Sequence, residues 1–132
     1  EFSKLLRIMT GKKILVIEDN ELNLKLVRTL LELADFFVLE ALDAEQGLDI
    51  ARKELPDIIL MDIQLPGLDG LTATRMIKKD PLLQYIPVIA VTSFAMESDS
   101  QKALEAGCVG HISKPIDTRK FASEVKSLVG VG

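Results

Sequence analysis

The chain has one cysteine in 132 residues. That excludes an intramolecular disulfide and any multi-cysteine zinc centre. No apolar run approaches the roughly 18 residues that a membrane helix needs. The first residues lack the apolar stretch of a secretory leader. Basic side chains are not in excess: 16 Lys and Arg stand against 20 Asp and Glu, a formal charge of −4. They fall in short pairs, Lys12-Lys13, Lys78-Lys79 and Arg119-Lys120, and not in a patch. Direct nucleic-acid binding, which depends on clustered cations displacing counterions from phosphates, is therefore not expected. Internal repeats, low-complexity tracts and interdomain linkers are missing too. What is present is ordinary, 48% apolar and 27% charged. That balance suits one domain, of a size that buries about two-thirds of its unfolded surface. A reducing, cytoplasmic setting is expected, with no membrane insertion.

Four short segments carry the main signal. Ile14-Leu15-Val16-Ile17 runs into Glu18-Asp19, Ile58-Ile59-Leu60-Met61 into Asp62, and Val88-Ile89-Ala90-Val91 into Thr92. The shorter His111-Ile112-Ser113 ends at Lys114-Pro115. Runs rich in Val and Ile read as strands buried on both faces of a parallel sheet. The carboxyl ends of such strands gather at one edge, and ligands bind beyond it. Three carboxylates, a hydroxyl and an ammonium are thus expected together. That set suits a hard cation and a phosphoryl group.

Helical patterns separate the strands. Asn20 is the expected cap of a helix whose apolar positions are Leu26, Val27, Leu30, Leu31 and Ala34, with Lys25, Arg28 and Glu32 on the wet side. A second strand spans Phe36 to Ala41. Asp43 then caps a helix with Ala44, Leu48, Ala51 and Leu55 inward. Pro66-Gly67 and Asp69-Gly70 mark a tight loop, followed by a helix with Ala73, Met76 and Ile77 inward and a stop at Asp80-Pro81. The next helix starts at Ser98 or Asp99 and stops at Gly107. Asp117 caps a last helix with Phe121, Val125 and Leu128 as its stripe. Five strands in strict alternation with five helices predict an α/β sheet covered on both faces. The chain ends soon after the last helix, so no output domain is expected within it.

Asp62 is the candidate reactive residue, because a buried strand holds its backbone while its side chain reaches the edge. A positioned carboxylate can form an acyl phosphate. A solvated strand-terminal Asp is the bland alternative. Glu18 and Asp19 weigh against it, since adjacent carboxylates beside a third repel unless a cation sits among them. Mg²⁺ takes oxygen ligands of this kind and keeps several waters. Thr92 offers a hydroxyl donor, though β-branching alone would account for a strand Thr. Lys114 supplies a positive charge, and Pro115 after it suggests a fixed, cis-capable turn. Met61 and Met96 read as packing residues, and Cys108 as a small buried side chain without activation.

With Glu18-Asp19-Asn20, the run Met61 to Gly70, Val91-Thr92-Ser93-Phe94-Ala95 and Ile112-Ser113-Lys114-Pro115 in register, the chain resembles the receiver domain of two-component response regulators, single-domain type. The resemblance covers about residues 12–129, with 1–11 as an N-terminal extension or as residues foreign to the natural protein, and 130–132 as a tail; Met9 is a possible natural start. It implies a flavodoxin-like, doubly wound sheet of five parallel strands in the order 2-1-3-4-5. It makes Asp62 the phosphoacceptor, with a phosphohistidine on a histidine kinase or histidine phosphotransfer protein as donor. It implies Mg²⁺ held by Asp19, Asp62 and the backbone carbonyl of Gln64, with Glu18 acting through water. Thr92 and Lys114 would bind the phosphoryl group, and Thr92 would shift toward it. An aromatic residue then turns inward behind Thr92; His111 stands at that position, a departure from the usual Tyr or Phe. Gln64 and Phe94 would flank the site, and a downstream protein would read a surface near Lys102, His111 and Arg119. The only catalysis implied is the chain's own phosphorylation and dephosphorylation.

Three other readings compete. The domain could come from a hybrid histidine kinase or a larger regulator. An aspartate-dependent phosphatase would need a second Asp two positions after Asp62, where Gln64 stands and cannot donate a proton that way. A flavodoxin would need a hydroxyl- and Gly-rich loop where Glu18-Asp19-Asn20-Glu21 would repel the flavin phosphate.

Overall fold

The computed structural model describes residues 11–93 and 97–130. In chain order the elements are β1 (Lys13–Ile17), α1 (Glu21–Leu33), β2 (Phe37–Ala41), α2 (Ala44–Glu54), β3 (Ile58–Asp62), α3 (Gly70–Lys79), β4 (Val88–Thr92), α4 (Glu97–Ala106), β5 (Gly110–Ser113) and α5 (Phe121–Leu128). The strands pair in parallel in the order β2-β1-β3-β4-β5, as the resemblance implied. Residues 1–10, Phe94, Ala95, Met96 and the last two residues lie outside the described residues, and with them the expectations placed on Met9, Phe94 and Met96.

Strand side chains alternate between faces, so each central strand feeds two cores. Leu15, Ile17, Ile59, Met61, Val88 and Ala90 pack with α2, α3 and α4. Ile14, Val16, Ile58, Leu60, Ile89, Val91 and Ile112 pack with α1 and α5. Burying a Leu, Ile or Val side chain contributes about 1.5–3 kcal/mol, and β3 and β4 are buried at every position. The helices contribute unequally. α1 buries Leu24, Val27 and Leu31, and α5 buries Phe121 and Val125. The buried residues of α4 are Ala103 and Ala106, each worth only about 0.8 kcal/mol of methyl burial.

The caps follow the sequence. Asn20, Asp43 and Asp69 accept from the backbone N–H of Asn23, Gln46 and Thr72 at 3.0, 2.8 and 2.9 Å. The inner faces are partly different. Leu26 is 38% exposed because the stripe of α1 runs through Leu24, Val27 and Leu31, one residue out of phase with it. It lines an open cleft of about 420 Å³ with Asn23, Ser93, Lys114, Pro115 and Ile116. Arg28, expected in water, is half-buried and pairs with Glu40 of β2 at 3.0 Å. Leu55 caps α2 in the left-handed region at φ 46°, so the chain turns off the helix and leaves it exposed. On α3 the inward side is Gly70, Ala73, Thr74 and Ile77; Met76 is exposed, and Thr74 is buried with its hydroxyl donating to Gly70 O at 2.8 Å. α4 begins at Glu97, before the expected start. Asp117 does not cap α5: its Oδ1 accepts from Arg119 N–H at 3.0 Å in a preceding turn, and the helix proper begins at Phe121.

Gly70 is set by close approach. A Cβ there would collide with the carbonyl oxygen of Asp62 and lie 2.8 Å from Ile63 Cα, both backbone atoms that no rotamer change can move. Gly70→Ala is expected to cost about 1–3 kcal/mol or somewhat more, read as a lowered urea midpoint. A midpoint equal to that of the unsubstituted protein would show that the loop after β3 gives way freely.

Candidate phosphoacceptor and metal site

The pocket is assembled from the ends of β1, β3, β4 and β5. β1 finishes at Ile17, and the Glu18 N–H still donates to Ala41 O at 3.0 Å, which extends the ladder with β2 by one residue. This holds Glu18 at 4% exposure, while Asp19 faces solvent at the start of the turn into α1. Glu18 Oε2 accepts from Asn20 N–H at 3.2 Å. Asp62 ends β3 in register with Val91 and is buried at 3% exposure. Both of its oxygens are engaged. Oδ1 accepts from Gln64 N–H at 2.9 Å, and Oδ2 accepts from Lys114 Nζ at 3.0 Å.

Lys114 ties the pocket together. Its ammonium is 2.9 Å from Glu18 Oε1 as well as 3.0 Å from Asp62 Oδ2. Its backbone N–H donates to Thr92 O at 2.8 Å, which brings the ends of β4 and β5 together. The Lys114–Pro115 peptide is cis. Thr92 is buried opposite Ser113.

Glu18, Asp19 and Asp62 each place a carboxylate oxygen within 4.8 Å of the others. Two of the three, Glu18 and Asp62, pair with one ammonium. Burial, with the Asp62 carboxylate beside it, pushes Glu18 up to about 7 from an ordinary 4.5. Burial disfavours the charged form of Lys114, but Glu18 and Asp62 outweigh this and hold its pKa above the ordinary lysine value. A surplus of negative charge on hard oxygen donors fits a divalent cation such as Mg²⁺.

Glu18, Asp19, Asp62, Thr92 and Lys114 therefore lie at one edge, as read from the strand ends, and Gln64 joins them through its backbone N–H. His111 is elsewhere. It is half-buried on β5, hydrogen-bonded through Nε2 to Ser100 Oγ at 3.2 Å. Ser100 and the packing role of Gly70 were not foreseen. The pair Asp69-Gly70 did signal a turn, and nothing local marks Ser100. Cys108 is buried, with burial pushing its thiol up and Sγ 3.9 Å from Thr74 Oγ1, which matches an inert core thiol.

Residues 14–126 match the family model of the response regulator receiver domain. The polar-differentiation response regulator DivK of Brucella anthropi is 45% identical over 119 residues, covering 90% of this chain and 97% of its own. A putative response regulator from Chloroflexus aurantiacus superposes with a TM-score of 0.87 at 26% identity, over 92% of this chain and 99% of that one. The receiver domain of a Pseudomonas aeruginosa sensor histidine kinase, with a magnesium ion coordinated in its active-site cleft, gives 0.82 at 31% identity over 92% and 99% of the two chains. With the fold, the acidic strand ends and these relatives in agreement, the chain belongs to the response regulator receiver domain family and is a phosphorylation-dependent signalling switch.

Proposed function

We propose that Asp62 is the phosphoacceptor and that it takes the group, with Mg²⁺, from a phosphohistidine on a histidine kinase or histidine phosphotransfer protein. The observation that carries this reading is the Lys114 ammonium bridging buried Glu18 and Asp62 at 2.9 and 3.0 Å. In the transfer an Asp62 oxygen forms the new O–P bond, the N–P bond to the donor imidazole breaks, and the imidazole takes up a proton. A carboxylate is a weak nucleophile, so rate comes from positioning and charge neutralisation. Asp19, Asp62 and the Gln64 carbonyl are the proposed direct metal ligands, with Glu18 acting through water. Mg²⁺ supplies neutralisation of the carboxylates and phosphoryl oxygens. Thr92 and Lys114 bind those oxygens, and the cleft beside Lys114, walled by Leu26, Pro115 and Ile116, admits the donor side chain.

Thr92 and His111 pass the change to a surface read by a downstream protein. Residues 12–129 form the receiver unit, with 1–11 and 130–132 as flanks. Its only catalysis is on its own phosphorylation state. The proposed setting is the cytoplasm; no helix among the described residues is long and apolar enough to cross a membrane.

The test is incubation with phosphoramidate, with Mg²⁺ or with a chelator, followed by intact-mass measurement. One added phosphate with Mg²⁺, and far less with chelator, is expected. No added phosphate in either sample would overturn the reading.

A further inference from the structure

The contact between Ser100 and His111 lies outside the strand-end pocket. His111 sits on β5, opposite Ala90 of β4. Its neighbour Ile112 packs in the layer of α1 and α5, so strand alternation places His111 and Ser113 on the other face, under α4. Ala90 packs in that same layer, and Thr92, two residues on, shares its face. His111 and Thr92 are therefore diagonal neighbours on adjacent strands, with only the Ala90 methyl directly opposite the ring.

α4 buries smaller side chains than the other helices do. Among the described residues its buried side chains are Ala103 and Ala106. Its one large apolar residue, Leu104, is 52% exposed. The other helices each bury at least one Leu, Ile, Val or Phe. An element with few large buried contacts opens more readily than its neighbours. On such a helix a side-chain bond to the sheet adds to what seats it. Ser100 Oγ and His111 Nε2, hydrogen-bonded at 3.2 Å between two half-buried residues, form that bond.

We infer that Ser100 is a positioning residue for His111: its hydroxyl fixes the imidazole against α4, and the pair latches α4 to β5 in the unphosphorylated protein. Thr92 is both a pocket residue and the diagonal neighbour of His111, so the relay through these two that the family resemblance implies would meet α4 at this latch. This coupling rests on the proposed phosphorylation of Asp62; the latch itself does not.

Two measurements separate them. In unphosphorylated protein, Ser100→Ala is expected to shift the ¹⁵N resonances of the His111 ring and to speed amide exchange in α4 roughly threefold to tenfold, the range one net hydrogen bond supports. Exchange in α1 and α5 stays unchanged, and Ser100→Thr, which keeps the hydroxyl, restores both readouts. Unaltered α4 exchange in Ser100→Ala, or no restoration by Ser100→Thr, would overturn the latch. With phosphoramidate and Mg²⁺, α4 exchange in the unsubstituted protein is expected to rise to the Ser100→Ala level, with no further rise in that variant. Phosphate uptake without a rise in α4 exchange would overturn the coupling. Absence of phosphate uptake would sink the Asp62 reading and leave the latch to be decided by the first measurement.

Discussion

Asp62→Asn is expected to take up no phosphate from phosphoramidate and, in metal-free buffer at pH 8, to be more stable than the unsubstituted protein. The amide keeps the shape of the carboxylate, so β3 and its register have no reason to change. It removes the proposed nucleophile and one of the three carboxylates that crowd within 4.8 Å. Lys114 loses a charged partner but keeps Glu18 at 2.9 Å. Relief of repulsion at a functional cluster typically contributes about 0.5–2 kcal/mol, which raises the urea midpoint. Phosphate uptake equal to that of the unsubstituted protein would move the acceptor to another residue. A lowered midpoint would mean that Lys114 already offsets the repulsion and that the amide leaves it poorly paired.

The second large effect is in pH. Glu18 binds its proton with a pKa of about 7 when folded, against an ordinary 4.5. Between those two values the folded chain therefore holds a proton that the unfolded chain has released. Stability from this group is complete below about pH 4.5 and is lost as pH rises through about 7. The loss is on the order of 3 kcal/mol in metal-free protein, with no further change above that window. Hydrogen bonds from Thr72, its backbone N–H foremost, hold Asp69 below its ordinary 3.8, so its opposite effect falls at lower pH. Lys114, held above 10.5, acts only at higher pH. Mg²⁺ at the proposed site would favour the charged form of the nearby Glu18 carboxylate and is expected to flatten the slope. Urea unfolding at pH 5 and pH 8, with and without Mg²⁺, measures this. A Glu18→Gln protein that kept the metal-free slope would assign it to another group.

The strands and their ends were legible because each buried run terminates abruptly in a polar residue of a different chemical kind. The order of the strands came through the resemblance; the alternating pattern alone did not determine it. The inner faces of the helices were less legible. α1, α2 and α3 each carry more apolar residues than their buried stripe can take, and Leu26, Leu55 and Met76 are the surplus. Hydrophobic identity cannot say which apolar residue is left out, because that depends on the phase of the helix against the sheet. The raised pKa of Glu18 depends on burial and on Asp62, distant in sequence, and the bond from Ser100 to His111 depends on how α4 lies over β5.

The pocket also has an order of assembly. Glu18 comes from the end of the first strand, Asp62 from the third, and Lys114 from the end of the last. A ribosome delivers the two acids long before the ammonium that bridges them. Until β5 has emerged and paired with β4, Glu18 and Asp62 have no Lys114 between them. A chain cut short before β5 therefore brings its two acids together without the ammonium that bridges them in the complete sheet.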